Sequence, residues 1–555
     1  MTATATPAVG RTTERAGGGA LAGTGVLLRF DLRRDRVRIP VWLAALTLGT
    51  LWVAAAFPQL YPTATERQAA AATMNSPAGL AFTGPAHYLT DYHYGSMLSH
   101  QMLGFMVIMV GIMSVLMVAR HTRTEEETGR AELVRAAVVG RHAQLAAALI
   151  LTVAVNIALA LLLTLSLGSL GIGGVTWAGS LLYGAAHAAA GITFAGVAAV
   201  TVQITEHSRG ASGMGLAVVG AAYLVRAAGD SAAGDSAGSG LSWASPIGWA
   251  QQTFAYLDNH WWPLLLNLAA AAALAALGFA LSTRRDLGAG LRAARRGRPE
   301  ASGLLTTPLG FALRLHRGML IGFAIGMLVL GMSYGPFLGD VETRLQDVEV
   351  LKEALAQLGG ATFVDSFIAM IMTLLAVVAA IYVVIATLRP RSEESSGRAE
   401  PVLATGLSRA GWLGSHLAVA LVGGPVMILL AGLALAAAGA PTVDESGLFW
   451  EIVAAAAAYI PALWVTAGLA VALVGWFPRA SALAWLVVVY AGVVGYFGTI
   501  LRFPGWMSDL SPFGHIPRIP VEGFSWTPLL ILTAIAAGLI ALGLYGFRRR
   551  DLETK

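Results

Sequence analysis

Residues 123–141, RTEEETGRAELVRAAVVGR, return at 391–409 as RSEESSGRAEPVLATGLSR. The shift is 268 residues, close to half of a 555-residue chain, and 10 of the 19 positions are identical. The identities include Arg123/Arg391, Glu125/Glu393, Glu126/Glu394, Gly129/Gly397, Arg130/Arg398, Glu132/Glu400 and Arg141/Arg409. Both copies are dense in charge, yet each lies between long apolar runs. That placement predicts a duplicated membrane protein whose charged element leaves the bilayer twice on the same side.

Outward from the two copies, apolar runs long enough to cross ~30 Å of hydrocarbon as helix lie near 39–57, 99–119, 143–168, 175–203, 211–227 and 262–282. A second set lies near 318–336, 364–388, 411–438, 447–475, 480–500 and 526–547. The run 211–227 is the weakest, being short and Gly-rich. Composition agrees: 56% of the chain is hydrophobic, 12% is charged, and mean hydropathy is +0.68. So little charge could not cover a soluble surface. The expected fold class is therefore an all-α polytopic membrane protein. Cysteine is absent, which removes disulfides, thiolate metal sites and a cysteine nucleophile. The net charge of +5 is explained by topology and does not point to nucleic acid.

Basic residues set the orientation. Thirty fall on the side that receives both termini and both repeated segments, against five on the other (Arg67, Arg344, Lys352, Arg502 and Arg518), with Arg226 near a span end. Both termini and both repeats are expected in the cytoplasm. Six spans per half is an even number, so the halves are expected as parallel repeats. Other fragments recur with them. RRDL at 284–287 returns at 549–552, and Ser245-Pro246-x-Gly248 returns as Ser511-Pro512-x-Gly514. Basic amphipathic stretches, LLRFDLRRDR at 27–36 and FALRLHR at 311–317, precede the first span of each half and are expected as interfacial elbow helices. The expected organisation is a disordered tail at 1–25, a first half at 26–283, a linker at 284–303 and a second half at 304–555. The outer loops 58–98, 228–261, 337–363 and 501–525 hold Pro, Gly and aromatics but little sign of a folded domain.

A topological anchor needs only the arginines of the repeated element, and inherited similarity needs no function at all. The paired glutamates, kept while the spans have drifted, point to partner docking. A helix over each copy would place Glu126–Arg130 and Glu394–Arg398 at i,i+4. R-x-E-E-x-x-G-R-A-E between spans two and three, its echo between spans eight and nine, the elbow stretches and the RRDL endings resemble an ABC exporter permease. More narrowly, the chain is similar to fused twelve-span permeases of the polyketide-antibiotic and multidrug exporter group. That resemblance implies a bacterial cytoplasmic-membrane permease that moves hydrophobic or amphipathic drugs by alternating access. It also implies coupling helices that dock on a separate P-loop ATPase, which carries the ATP and Mg. By resemblance the coupling residues are Glu125, Glu126, Gly129, Arg130 and Glu132, with Glu393, Glu394, Gly397, Arg398 and Glu400. The second copy departs at Pro401 and Leu403, where the first has Leu133 and Arg135.

A P-loop needs Gly-Lys-Ser/Thr so that lysine reaches the nucleotide phosphates. The chain contains no Gly-Lys, so a standard ATP site is not encoded here. Two docking elements predict two ATPase copies per permease. Met102, Met106, Met109, Met113 and Met117 share one face of span two, and with Gln101 and Asp365 form a candidate substrate wall; ordinary packing or lipid contact is the other reading. Histidines 87, 93 and 100 with Asp91 lack metal-ligand spacing. Pro246, Trp249, Pro512 and Phe513 form a candidate outer gate, or simple caps of interfacial helices. Asn156 reads as an interhelical hydrogen bonder. The competing class is an ion-coupled efflux transporter of the major-facilitator type. Its loop 2–3 motif wants a spaced Gly-Asp pair, which is missing, and ionisable residues deep in the spans, which Asp365 and Glu451 do not supply.

Overall fold

The computed structural model describes residues 19–136, 139–232, 239–292, 297, 299–339, 363–443, 445–497 and 504–551. The tail before residue 19, Arg344, Lys352, Arg502 and Lys555 lie outside the described residues. Regular structure among the described residues is entirely helical. Twelve helices are long and apolar enough to cross a bilayer. Spans one to six are Arg38–Leu60, Tyr94–Glu127, Ala143–Gly168, Trp177–Ile204, Ser208–Ala232 and Pro263–Ser282. Spans seven to twelve are Pro308–Gly339, Val364–Ser395, Arg409–Thr442, Leu448–Trp476, Pro478–Gly495 and Trp526–Arg549. The Gly-rich run 211–227 is the middle of span five.

The chain divides into two compact units, 1–296 and 297–555, each with its own apolar core. In the first, span four is the hub: 83% of its most apolar stretch is buried, against 22% for span one. Its sequence YGAAHAAAGITFAG has little bulk, so neighbours come close. A Cβ on Gly184 would sit 2.5 Å from the Ala160 carbonyl oxygen of span three. Span ten has the same place in the second unit, where a Cβ on Gly475 would meet the Gly543 carbonyl of span twelve at 2.3 Å. Asn156 donates to Ser114 Oγ at 3.0 Å, tying span three to span two as its residue type predicts.

Three expectations change. Residues 20–22 are not a free tail. Gly140 and His142 donate their backbone N–H groups to the carbonyls of Ala22 and Ala20, and helix begins at Thr24. The two elbows also differ. Thr24–Arg34 is a separate helix, broken from span one near Asp35, whereas FALRLHR continues without a break in Pro308–Tyr334. The break frees Asp35 to turn toward span two, while His316, in the continuous helix, meets another histidine. Finally, the loop between spans one and two is folded. Helices Ala64–Met74 and Pro77–Thr83 are capped by Thr63 and Ser76, and the second packs on span five.

Candidate functional site

Each repeated element is a helix end, a glycine and a second short helix. In the first copy the helices are Arg123–Glu127 and Arg130–Arg135; in the second, span eight ends at Ser395 and Ala399–Leu403 follows. Gly129 and Gly397 both have φ +73°, with open space where a Cβ would be. Glycine is therefore required by the left-handed backbone and not by crowding. Their N–H groups close the preceding turn on the carbonyls of Glu126 (3.1 Å) and Glu394 (2.9 Å).

This break changes the expected ion pairs. Arg130 meets Glu125 at 3.7 Å and Arg398 meets Glu393 at 2.6 Å, instead of Glu126 and Glu394. The left-handed residue turns the second helix, which carries each arginine past its i,i+4 partner to the preceding glutamate. The Glu393 carboxylate holds the Arg398 guanidinium above its ordinary pKa.

Glu126 and Glu394 point inward. Arg285 grips Glu126 through two hydrogen bonds of 2.7 Å, and Arg550 grips Glu394 through two of 2.6 Å. Both arginines are the second of an RRDL, at the end of the last span of their half. Arg123 and Arg391 add i,i+3 contacts to the same carboxylates at 2.5 and 3.5 Å. The last identity of the repeat closes the loop. Arg141 donates to the carbonyls of Ser282 (3.3 Å) and Thr283 (2.8 Å), and Arg409 donates to Arg550 O at 2.7 Å. Each span end is thus held in both directions. In the first half a polar cavity of about 410 Å³ lies under this network, lined by Thr122, Gln144 and Gln203 among others.

The first element is also tied to its elbow. Arg34 pairs with Glu125, and buried His121 lies between Asp31 (3.1 Å) and Asp35 (2.7 Å). In the second half His316 Nε2 meets His416 Nδ1 at 2.9 Å, a link between spans seven and nine. What remains outward on the first element is Arg130, Glu132 and Leu133, which is 77% exposed. On the second it is Arg398, Glu400 and Pro401. Neither Glu132 nor Glu400 makes an ion pair among the described residues.

The other candidates disperse. Met106, Met113 and Met117 are buried in the first unit's own core, while Met102 and Met109 are half-buried. Gln101 donates to Tyr92 Oη at 3.0 Å, from a π-helical turn at Ser99–Leu103, and Asp365 is buried at the start of span eight. The three histidines have separate partners. His87 meets Asp258 at 2.5 Å, His93 caps the start of span two, and His100 lies between Thr83 and Tyr92. Ser245 and Ser511 cap the short helices that begin at Pro246 and Pro512. A Cβ on Gly248 would meet Ser242 O at 1.9 Å, and one on Gly514 would meet Ser508 O at 2.1 Å, so close backbone approach requires both glycines. Trp249 Nε1 donates to Trp243 O, and Phe513 is buried. The sequence reading missed the Glu126–Arg285 and Glu394–Arg550 forks, although both partners were visible as repeats.

The family profile described as "Multidrug efflux system permease Rv1217c, C-terminal domain" matches residues 28–281 and 305–548. The chain is 40% identical over 544 residues to the multidrug efflux system permease protein Rv1217c of Mycobacterium tuberculosis (strain ATCC 25618 / H37Rv), covering 97% of this chain and 96% of the relative. With twelve apolar spans and a matching profile over most of both halves, the chain belongs to the Rv1217c family of multidrug efflux system permeases.

Proposed function

We propose that the chain is the membrane subunit of an ATP-driven exporter of amphipathic drugs, and that its two repeated elements dock two copies of a separate ATPase on the cytosolic side. The observation that carries this is the geometry of the repeat. A glycine break presents a short helix twice, with most of its charge used internally and a small rim (Arg130-Glu132-Leu133 and Arg398-Glu400-Pro401) left outward. The lack of any Gly-Lys supports a motor on another polypeptide. The relative's name supports drugs as cargo. Alternating access would follow from ATP-driven movement of the two elements, with both termini cytosolic, as the arginine distribution favours.

The test is reconstitution of the purified permease in proteoliposomes with and without its ATPase. Drug transport should require both ATPase and ATP, and the complex should contain one permease and two ATPase chains by mass. Transport driven by a proton gradient alone would replace this reading with ion-coupled efflux. A complex of two permeases and two ATPases would overturn the two-site assignment.

A further inference from the structure

We propose that Arg285 and Arg550 are positioning residues of the transport cycle, joining each repeated element to the last span of its half so that the two move as one body. The proposal rests on the ATP-driven reading above. Four observations on each side carry it. The carboxylate of the element is held by a two-bond arginine fork, the geometry that fixes direction as well as distance. The fork is largely buried: side-chain exposure is 8% and 5% for Arg285 and Glu126, and 13% and 1% for Arg550 and Glu394. Arg141 and Arg409, which follow the element, bind the carbonyls at the same span ends. The last span in turn packs along the hub, span six on four and span twelve on ten.

A displacement delivered to the rim therefore has a stiff route into the membrane. It passes from the element through the fork to the end of span six or twelve, and from there to the hub. The elbow supplies no equivalent pair of routes. Its carboxylate–histidine tie is present in the first half, while the second has the His316–His416 contact instead. The fork, with the arginine–carbonyl tie beside it, is a link that both halves share, which is what a duplicated drive needs.

The experiment uses the full permease with its ATPase in proteoliposomes, a fluorescent amphipathic drug as cargo, and the variants Arg285→Gln, Arg550→Gln and Arg285→Lys. Three quantities are read: ATPase retained on purification, basal ATP hydrolysis, and drug moved per ATP. The Gln variants should retain the ATPase and hydrolyse ATP, while drug moved per ATP falls on the order of 10-fold, within the usual range of coupling between sites. Arg285→Lys, which keeps charge but not the fork, should recover part of the loss. Folded Gln variants with the wild-type ratio would overturn the proposal. If the Gln variants fail to fold, a wild-type ratio in Arg285→Lys overturns it equally. A wild-type permease that moves drug without ATP would instead overturn the ATP-driven reading, and that result is seen before any variant is made.

Discussion

Arg285 and Glu126 lie 159 residues apart and share two hydrogen bonds of 2.7 Å in a nearly dry setting. Removing one partner of such a pair leaves a buried charge, which costs about 3–5 kcal/mol, whereas replacing both with apolar groups is often close to neutral. Glu126→Leu and Arg285→Met should each lower the thermal midpoint of the detergent-purified protein markedly. The double variant should recover only part of the loss, because buried Arg123 also pairs with Glu126 and is left without that carboxylate. A double-mutant cycle with additive losses would show that the fork contributes nothing beyond its separate side chains.

Gly129 and Gly397 share the same left-handed φ, and a Cβ at either would touch nothing. Alanine there meets only the backbone penalty of that conformation, roughly 1–2 kcal/mol. Asparagine tolerates it better. Gly129→Ala should therefore cost more than Gly129→Asn, by thermal melting and by the fraction of ATPase retained. Equal retention for wild type, alanine and asparagine would remove the need for the bend.

The fold was legible because its signals are additive. Twelve long apolar runs and a lopsided arginine distribution each sum over many residues, and even the Gly-rich run near 211–227 was extended by its neighbours into span five. The site was half legible. The repeat singled out a set of charged positions, but not which way they face. Glu126 and Glu394 look like surface charge, and periodicity alone cannot tell a docking carboxylate from one already gripped. A usable signal was present. Glu126/Glu394 and Arg285/Arg550 are opposite charges that recur together at nearly the same shift, which is what a duplicated contact leaves in a sequence. The His121 clamp left no such trace, because its partners Asp31 and Asp35 meet Ala312 and His316 at the matching elbow positions of the second half.

The two rims differ where Leu133 of the first copy corresponds to Pro401 of the second. A proline without a donor N–H near the start of a short helix is tolerated, so the second helix still forms, but it presents a smaller apolar surface. Leu133→Asp should weaken ATPase binding about 10-fold, a loss of ~1.4 kcal/mol, with no change in thermal midpoint. Pro401→Leu should leave binding unchanged or strengthen it. Binding isotherms with the purified ATPase measure both, and a Leu133→Asp permease that binds normally would take this residue out of the interface.

Arg226, counted from sequence as sitting near a span end, is fully buried with Asp230, 3.3 Å away on the next turn of span five. Ser242 Oγ donates to the other carboxylate oxygen at 2.6 Å. The guanidinium lies 4.4 Å over the Tyr223 ring, whose hydroxyl donates to Phe82 O at 3.1 Å. Span five therefore fastens both the folded loop at 77–83 and the turn at 242–244. An arginine in this setting is tolerated only because it is paired. Arg226→Met alone should leave Asp230 without its cation and destabilise the first unit by about 3–5 kcal/mol. The loop around 61–93 should then be cleaved faster by protease added to the detergent-purified protein. Arg226→Met with Asp230→Leu should restore most of the thermal midpoint, while the loop keeps only its helix-packing contacts. If Arg226→Met shifts neither the midpoint nor the cleavage rate, the pair is not what holds the loop.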